Sequence, residues 1–324
     1  MSVLHLRVVT PASATDDVLT VLRADAGVTN LVLHRSVVVG AREVGAREGG
    51  PPADLVEADV AREAVDSVVD GLQALGLERS GSIVLEAVDT ALGDDVARAE
   101  AAAPGEGDDA LIWEQVERAA DGGATASATF YAFLVLATLI AAVGLLTDSQ
   151  VLIVGAMVLG PEFGPLAALA VAVVRRRRDL VPGPLRALGL GFPLAMVVTA
   201  AGVALLDAVG LVPQEFLDGR RPLTSFVASP DEFSVIVAVL AGIAGTLSLT
   251  SAKSGPLVGV FISVTTVPAA ADFAAGVVTA QYDTALGALG QLVLNLACIL
   301  LAAVVTLRLQ HALWRRARRG APTR

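Results

Sequence analysis

The sequence predicts a two-part protein, an N-terminal α+β domain followed by an α-helical integral membrane domain of about six spans. Three observations carry this. The 324 residues are 54% hydrophobic and only 17% charged. Acids outnumber bases 23 to 9 in residues 1–126, whereas bases outnumber acids 14 to 10 in residues 127–324. Six long apolar stretches, about 127–146, 150–174, 186–211, 233–250, 255–278 and 285–309, all lie in the second part, most near the roughly 20 residues a helix needs to cross a bilayer core. The expected domains are residues 1–90, a linker with an amphipathic helix over 91–126, spans over 127–309, and a basic tail over 310–324.

In the first domain, Val3 to Val9 alternates with the period of a strand, and Asp16 to Ala26 places Val18, Leu19, Val21 and Leu22 at helical spacing. Val28 to Val39 offers two β-rich stretches, and Asp54 to Val60 follows a Gly- and Pro-rich turn. Glu63 to Leu75 repeats the helical pattern, Gly76 stops it, and Ser82 to Val88 alternates again. The order β-α-β-β-α-β is that of a ferredoxin-like sandwich. It suits a regulatory, ligand-sensing or oligomerising module, and no phosphate-cradling loop stands out in it. In the linker, Trp113 suits a membrane-interface anchor.

In the membrane domain, the basic groups Arg175, Arg176, Arg177 and Arg178, then Lys253, then Arg308 and Arg315 to Arg319, alternate with Thr147–Ser149, the 212–232 loop and Thr279–Thr284. The positive-inside rule puts the basic set, and with six spans both termini, in the cytoplasm. The four arginines read as topology determinants and lipid-headgroup contacts. One lysine against 22 arginines suggests a GC-rich bacterial genome, and the start has no signal-peptide pattern. The expected location is therefore a bacterial inner membrane.

Two spans are interrupted. Gly155 to Pro165 places Gly160, Pro161, Glu162, Gly164 and Pro165 in the second, where a continuous helix is not expected. Gly259 to Pro268, with Thr265, Thr266 and Pro268 followed by Asp272, does the same in the fifth. Three spans per half, each with a broken middle one, suggest an inverted repeat of the kind secondary transporters use. Broken backbone must face protein, water or solute, and half-helix ends make ion sites. Glu162 and Asp272 are candidate intramembrane acids, with Asn295 of the sixth span as a polar relay or interhelical hydrogen bond. Two bland alternatives stand beside this: Glu162 complements a helix dipole, and Ala156, Gly160 and Gly164 form a close-packing ladder.

Gly155-Ala156-Met157-Val158-Leu159-Gly160-Pro161-Glu162-Phe163-Gly164-Pro165, the Gly259 to Pro268 stretch and Leu294-Asn295-Leu296 resemble the bacterial membrane proteins grouped as domain of unknown function 389. The resemblance covers roughly residues 127–307 and implies a hydrophobic domain joined to a variable soluble one, without an established reaction. The sequence departs from the family pattern at Val267-Pro268-Ala269, where a double proline is expected, and at Pro161-Glu162-Phe163, where many members carry a neutral Pro-Leu-Met.

Other classes are disfavoured. One cysteine, Cys298, and three scattered histidines leave neither a disulfide nor an expected metal site, and no cofactor is expected. An acidic soluble domain disfavours nucleic acid. There is no ATP-binding Gly-x-x-x-x-Gly-Lys-Ser/Thr loop. Tyr282-Asp283 has no Leu-Gly-Asp partner in the membrane part, since Leu92-Gly93-Asp94 lies in the soluble part, so an enzyme is not expected. What remains is a transporter or channel for a small ion or polar solute, gated by its soluble domain and expected to be homo-oligomeric in the lipid bilayer. The alternative is a membrane-anchored sensor or scaffold.

Overall fold

The computed structural model describes residues 3–37, 53–88, 91, 93–102, 113, 116, 125–228, 231–250 and 266–320. Two compact units divide between Trp113 and Glu114, with the chain from Ala312 grouped with the first.

The first unit runs β1 (Val3–Pro11), α1 (Thr15–Ala24), β2 (Val28–Val37), β3 (Ala53–Ala61), α2 (Val65–Ala74), a short α3 (Leu77–Ser80) and β4 (Ser82–Ala87). The strands form one antiparallel sheet in the order β2-β3-β1-β4. Because side chains alternate along a strand, Leu4, Leu6 and Val8 of β1 and Val56 and Val60 of β3 share one face. They bury there against Val18, Leu19 and Leu22 of α1 and Val65, Val68, Val69 and Leu72 of α2. The register is firm, with Leu6 opposite Ala58 on one side and Leu85 on the other. The two β-rich stretches expected over 28–39 are one strand up to Val37, with irregularities between Thr29 and Val32 and between His34 and Val37.

Asp54 fastens the second of these. Its carboxylate accepts the Ser36 backbone N–H at 2.9 Å and the Thr15 hydroxyl at 2.8 Å. Ser36 has a φ of 58°, so the side chain supports a left-handed residue. These two hydrogen bonds, the backbone one foremost, hold the Asp54 carboxyl below its ordinary 3.8. A depressed carboxyl stabilises the fold above its unfolded-state pKa, and this contribution fades as pH falls through the folded value. Asp54→Asn is therefore expected to speed amide exchange in 28–37 at pH 7, with the difference from wild type shrinking below about pH 4. An equal difference at both pH values would contradict the assignment.

Two features of the region expected as linker differ. Asp94–Ala102 forms helix α4, which packs on β2 and β3 and buries Val96 and Ala99. Trp113 is buried, and its backbone N–H lies 3.4 Å from Asp66 Oδ1 of α2. It packs with the sheet unit, which corrects the expected membrane anchor. Gly105 to Asp109 lies outside the described residues.

The second unit is helical: α5 (Ala128–Leu146), α6 (Gln150–Leu159), α7 (Phe163–Arg175), α8 (Pro182–Ala208), the short α9 (Gln214–Leu217), α10 (Glu232–Thr250), α11 (Val267–Val278) and α12 (Tyr282–Gly320). Among the described residues, α5, α8, α10 and α12 are each long and apolar enough to cross a membrane. The pair α6 and α7, bent by 50°, makes five if counted as one span. Helix α11 is shorter and apolar. Val197 of α8 and Phe233 of α10 are 67% and 72% exposed, as expected of side chains whose solvent is lipid.

Small residues set the packing. Ala137 and Ala141 of α5, Ala156 of α6, Ala195 of α8 and Ala269 to Ala271 of α11 share one core. At Gly242 of α10, a Cβ would sit 2.7 Å from the Ile299 carbonyl oxygen and 2.8 Å from Ala302 Cβ of α12. Gly242→Val is therefore expected to destabilise the unit by about 1–3 kcal/mol through overpacking, read as a lower unfolding temperature in detergent. An unchanged temperature would show that α10 and α12 do not meet there.

Three connections meet at one end. Asp148, after α5, accepts the Thr224 hydroxyl at 2.9 Å and the Leu223 N–H at 3.2 Å. Gln281, before α12, donates to the Phe216 carbonyl at 2.9 Å. Elsewhere Gln310 of α12 donates to the Thr250 hydroxyl at the end of α10, at 2.9 Å.

Candidate functional site: two helix starts and two buried acids

The break between α6 and α7 follows from Gly160-Pro161. Proline lacks the N–H that would continue the helix and clashes with the carbonyl four residues back, and it pushes the preceding residue into extended backbone. Gly160 complies, with ψ of 117°. Helix α7 restarts after Glu162, and Pro165 falls in its first turn, where an N–H would have no intrahelical partner. Helix α11 starts in the same way, with Thr266 at its cap and Pro268 in the first turn.

Glu162 and Thr266 thus hold matching positions, and neither side chain caps its own helix. They reach each other: the Thr266 hydroxyl donates to Glu162 Oε1 across 104 residues of sequence, and both residues are fully buried. Glu162 stands at the start of α7, where an acid complements the helix dipole, and the Thr266 hydroxyl is a further partner.

Asp272 lies six residues along α11 from Thr266, about 9 Å at a helical rise. It is fully buried and pairs with Arg221 Nη1 from the loop after α9. The Arg221 guanidinium also sits 5.2 Å from the Phe216 ring centroid. On α12, Gln291 Nε2 reaches the buried Asn295 Oδ1 at 3.4 Å, a long hydrogen bond.

Sequence-expected residues therefore separate into groups. Glu162 and Thr266 meet at the paired helix starts, with Gly160, Pro161, Gly164, Pro165 and Pro268 shaping the backbone around them. Asp272 and Asn295 are both buried in the helical unit, each with a polar partner. Thr265, with the rest of Gly259 to Thr265 and Lys253, lies outside the described residues. Arg175 to Arg178 are exposed at the end of α7, where Arg176 takes a left-handed cap with φ of 56° and Arg177 pairs with Asp179 at 2.8 Å. Among the described residues no group of three His, Cys, Asp or Glu is placed to hold a metal.

Sequence reasoning missed Arg221, Gln291 and Thr199. Arg221 stands in a loop between apolar stretches, and its partner Asp272 is 51 residues away. Gln291 stands one helical turn before Asn295, a spacing that brings side chains together. Thr199 is fully buried on α8, and a lone threonine in an apolar run gave no signal.

Residues 157–301 match the family described as Domain of unknown function (DUF389). That segment is similar to this family. The matched segment begins within α6 and ends within α12, so it holds Glu162, Arg221, Thr266 and Asp272, and leaves out the sheet unit. An uncharacterized protein of Methanocaldococcus jannaschii is 27% identical over 195 residues, covering 60% of this chain and 58% of that relative. The chain thus matches somewhat over half of the relative's length. No solved structure matches.

Proposed function

We propose that the chain is a transporter or channel for a small ion or polar solute, regulated by its N-terminal unit. The observation that carries this is the contact between Glu162 and Thr266, two buried polar residues at the starts of separate helices in an apolar unit. Backbone that leaves a helix inside a bilayer is tolerated only where protein or water receives its polar groups, and such half-helix ends are where transporters hold solute.

The same reading makes α6 with α7 the second of six spans and α11 the second half of a broken fifth. The two halves are then an inverted 3+3 repeat related by an axis passing near the paired starts. The meeting of Asp148, Phe216, Thr224 and Gln281 at one end supports a common, outer side for those three connections. Arg175 to Arg178 and both termini are then cytoplasmic, in a bacterial inner membrane. The strand order β2-β3-β1-β4 with two helices on one face supports a ferredoxin-like reading of the first unit. No catalytic role is assigned, and homo-oligomerisation is part of the reading.

A sensor role for the sheet unit has its own observation. His5 Nδ1 lies 2.9 Å from Asp59 and His34 Nε2 3.4 Å from Glu57, all partly exposed, so the sheet presents a cluster of imidazole and carboxylate groups at its surface.

The test is charge movement by the reconstituted full chain on a solid-supported membrane, across inorganic ions, carboxylates and amino acids. A saturable, solute-specific current is expected for wild type. Currents that survive both Glu162→Gln and Pro161→Ala unchanged would contradict the placement of the pathway.

A further inference from the structure

We propose that the cavity beside the loop of residues 213–225 binds a soluble oxyanion, a carboxylate or phosphate group, on Arg221. The cavity measures about 860 Å³, within the range of small-molecule sites. Its floor is apolar, with Leu145, Leu146, Phe216 and Pro222, and Arg221 opens onto it.

The chemistry of Arg221 sets the ligand. A guanidinium offers five N–H donors in a planar fork, and Arg221 gives Asp272 a single contact, through Nη1. Its Nε and Nη2 find no acceptor among the described residues, although the side chain is only 6% exposed. A guanidinium taken out of water with donors to spare, beside a cavity of ligand size, suits the bidentate grip that carboxylate and phosphate accept.

The other charges of the wall are arranged consistently. Asp148 is occupied by Thr224 and by the Leu223 N–H, and Arg220 is paired with Asp218. Glu215 also lines the cavity, and its charge acts on the neighbouring Arg220, which Asp218 holds more strongly. Glu215 opposes an anion and limits affinity, so neutralising it tightens binding. As the entrance site for a transported solute the cavity rests on the transport reading, whereas as a binding site it does not.

The test uses the purified full chain in detergent, with inorganic phosphate and acetate as probes and chloride at equal ionic strength as reference. Unfolding temperature and calorimetric binding are the readouts. At least one probe is expected to bind saturably, about tenfold or more weaker in Arg221→Lys, which keeps the charge and loses the fork, and severalfold tighter in Glu215→Gln. If Arg221→Lys fails to fold, the pair Arg221→Gln with Asp272→Asn removes the guanidinium without stranding an acid. No saturable binding of either probe, unchanged affinity in these variants, or a response only to phosphatidylglycerol micelles would overturn the proposal. Anion binding without any solute current would overturn the transport reading and leave this site standing. A current with no anion binding would do the reverse.

Discussion

Asp272→Leu is expected to lower the stability of the helical unit by about 3–5 kcal/mol, the usual consequence of leaving one member of a buried ion pair without its partner. Arg221 is 6% exposed and Asp272 fully buried, so water replaces only a small part of the lost interaction. The second half of this result is more telling. Arg221→Met combined with Asp272→Leu removes both charges and is expected to regain most of the loss, because an apolar pair of similar volume needs no desolvation. Thermal unfolding of the four proteins in detergent gives the coupling directly. A double variant no more stable than Asp272→Leu would mean that Arg221 and Asp272 do not act as a pair.

Glu162 and Thr266 are expected to show coupling of another kind. Thr266→Val removes the hydroxyl that donates to a buried carboxylate, at a cost of about 1–3 kcal/mol. Glu162→Gln keeps the shape and an acceptor while removing the charge, so the fold should persist. Under the transport reading, the solute current should nevertheless fall by about tenfold or more, equivalent to about 1.4 kcal/mol in the barrier. In the double variant the loss should be less than additive, since both changes act on one contact. Fully additive losses would place the two residues in separate roles.

Local stereochemistry explains which parts of this architecture were legible in the sequence. Gly160-Pro161 and Val267-Pro268 act through rules that need no tertiary context, so both helix starts could be placed. The sheet was legible because Leu4, Leu6 and Val8 alternate with His5 and Arg7. Helix α4 was not, because its run Asp94-Asp95-Val96-Ala97-Arg98-Ala99 buries only Val96 and Ala99 and reads as a solvated segment. Trp113 was misread because an aromatic residue near a membrane span has the same sequence appearance whether it faces a headgroup or packs on a domain. The contacts between Glu162 and Thr266 and between Arg221 and Asp272 join residues 104 and 51 positions apart. Periodicity does not encode such pairings.

The central claim, that the paired helix starts line a route for water and solute, has a test that needs no knowledge of the solute. Cys298 is the single cysteine, so Cys298→Ser gives a thiol-free background for Thr266→Cys. For a lipid-facing comparison, the same background takes Val197→Cys, at a site 67% exposed on α8. Only a hydrated thiol ionises and reacts readily. The measurement is the rate at which a membrane-impermeant, water-soluble thiol reagent modifies each variant in liposomes. Alternating access predicts modification at 266 well above that at 197, slowed further by a transported solute. A thiol at 266 as unreactive as the one at 197 would contradict the account, because the helix starts would then be dry and the unit a scaffold.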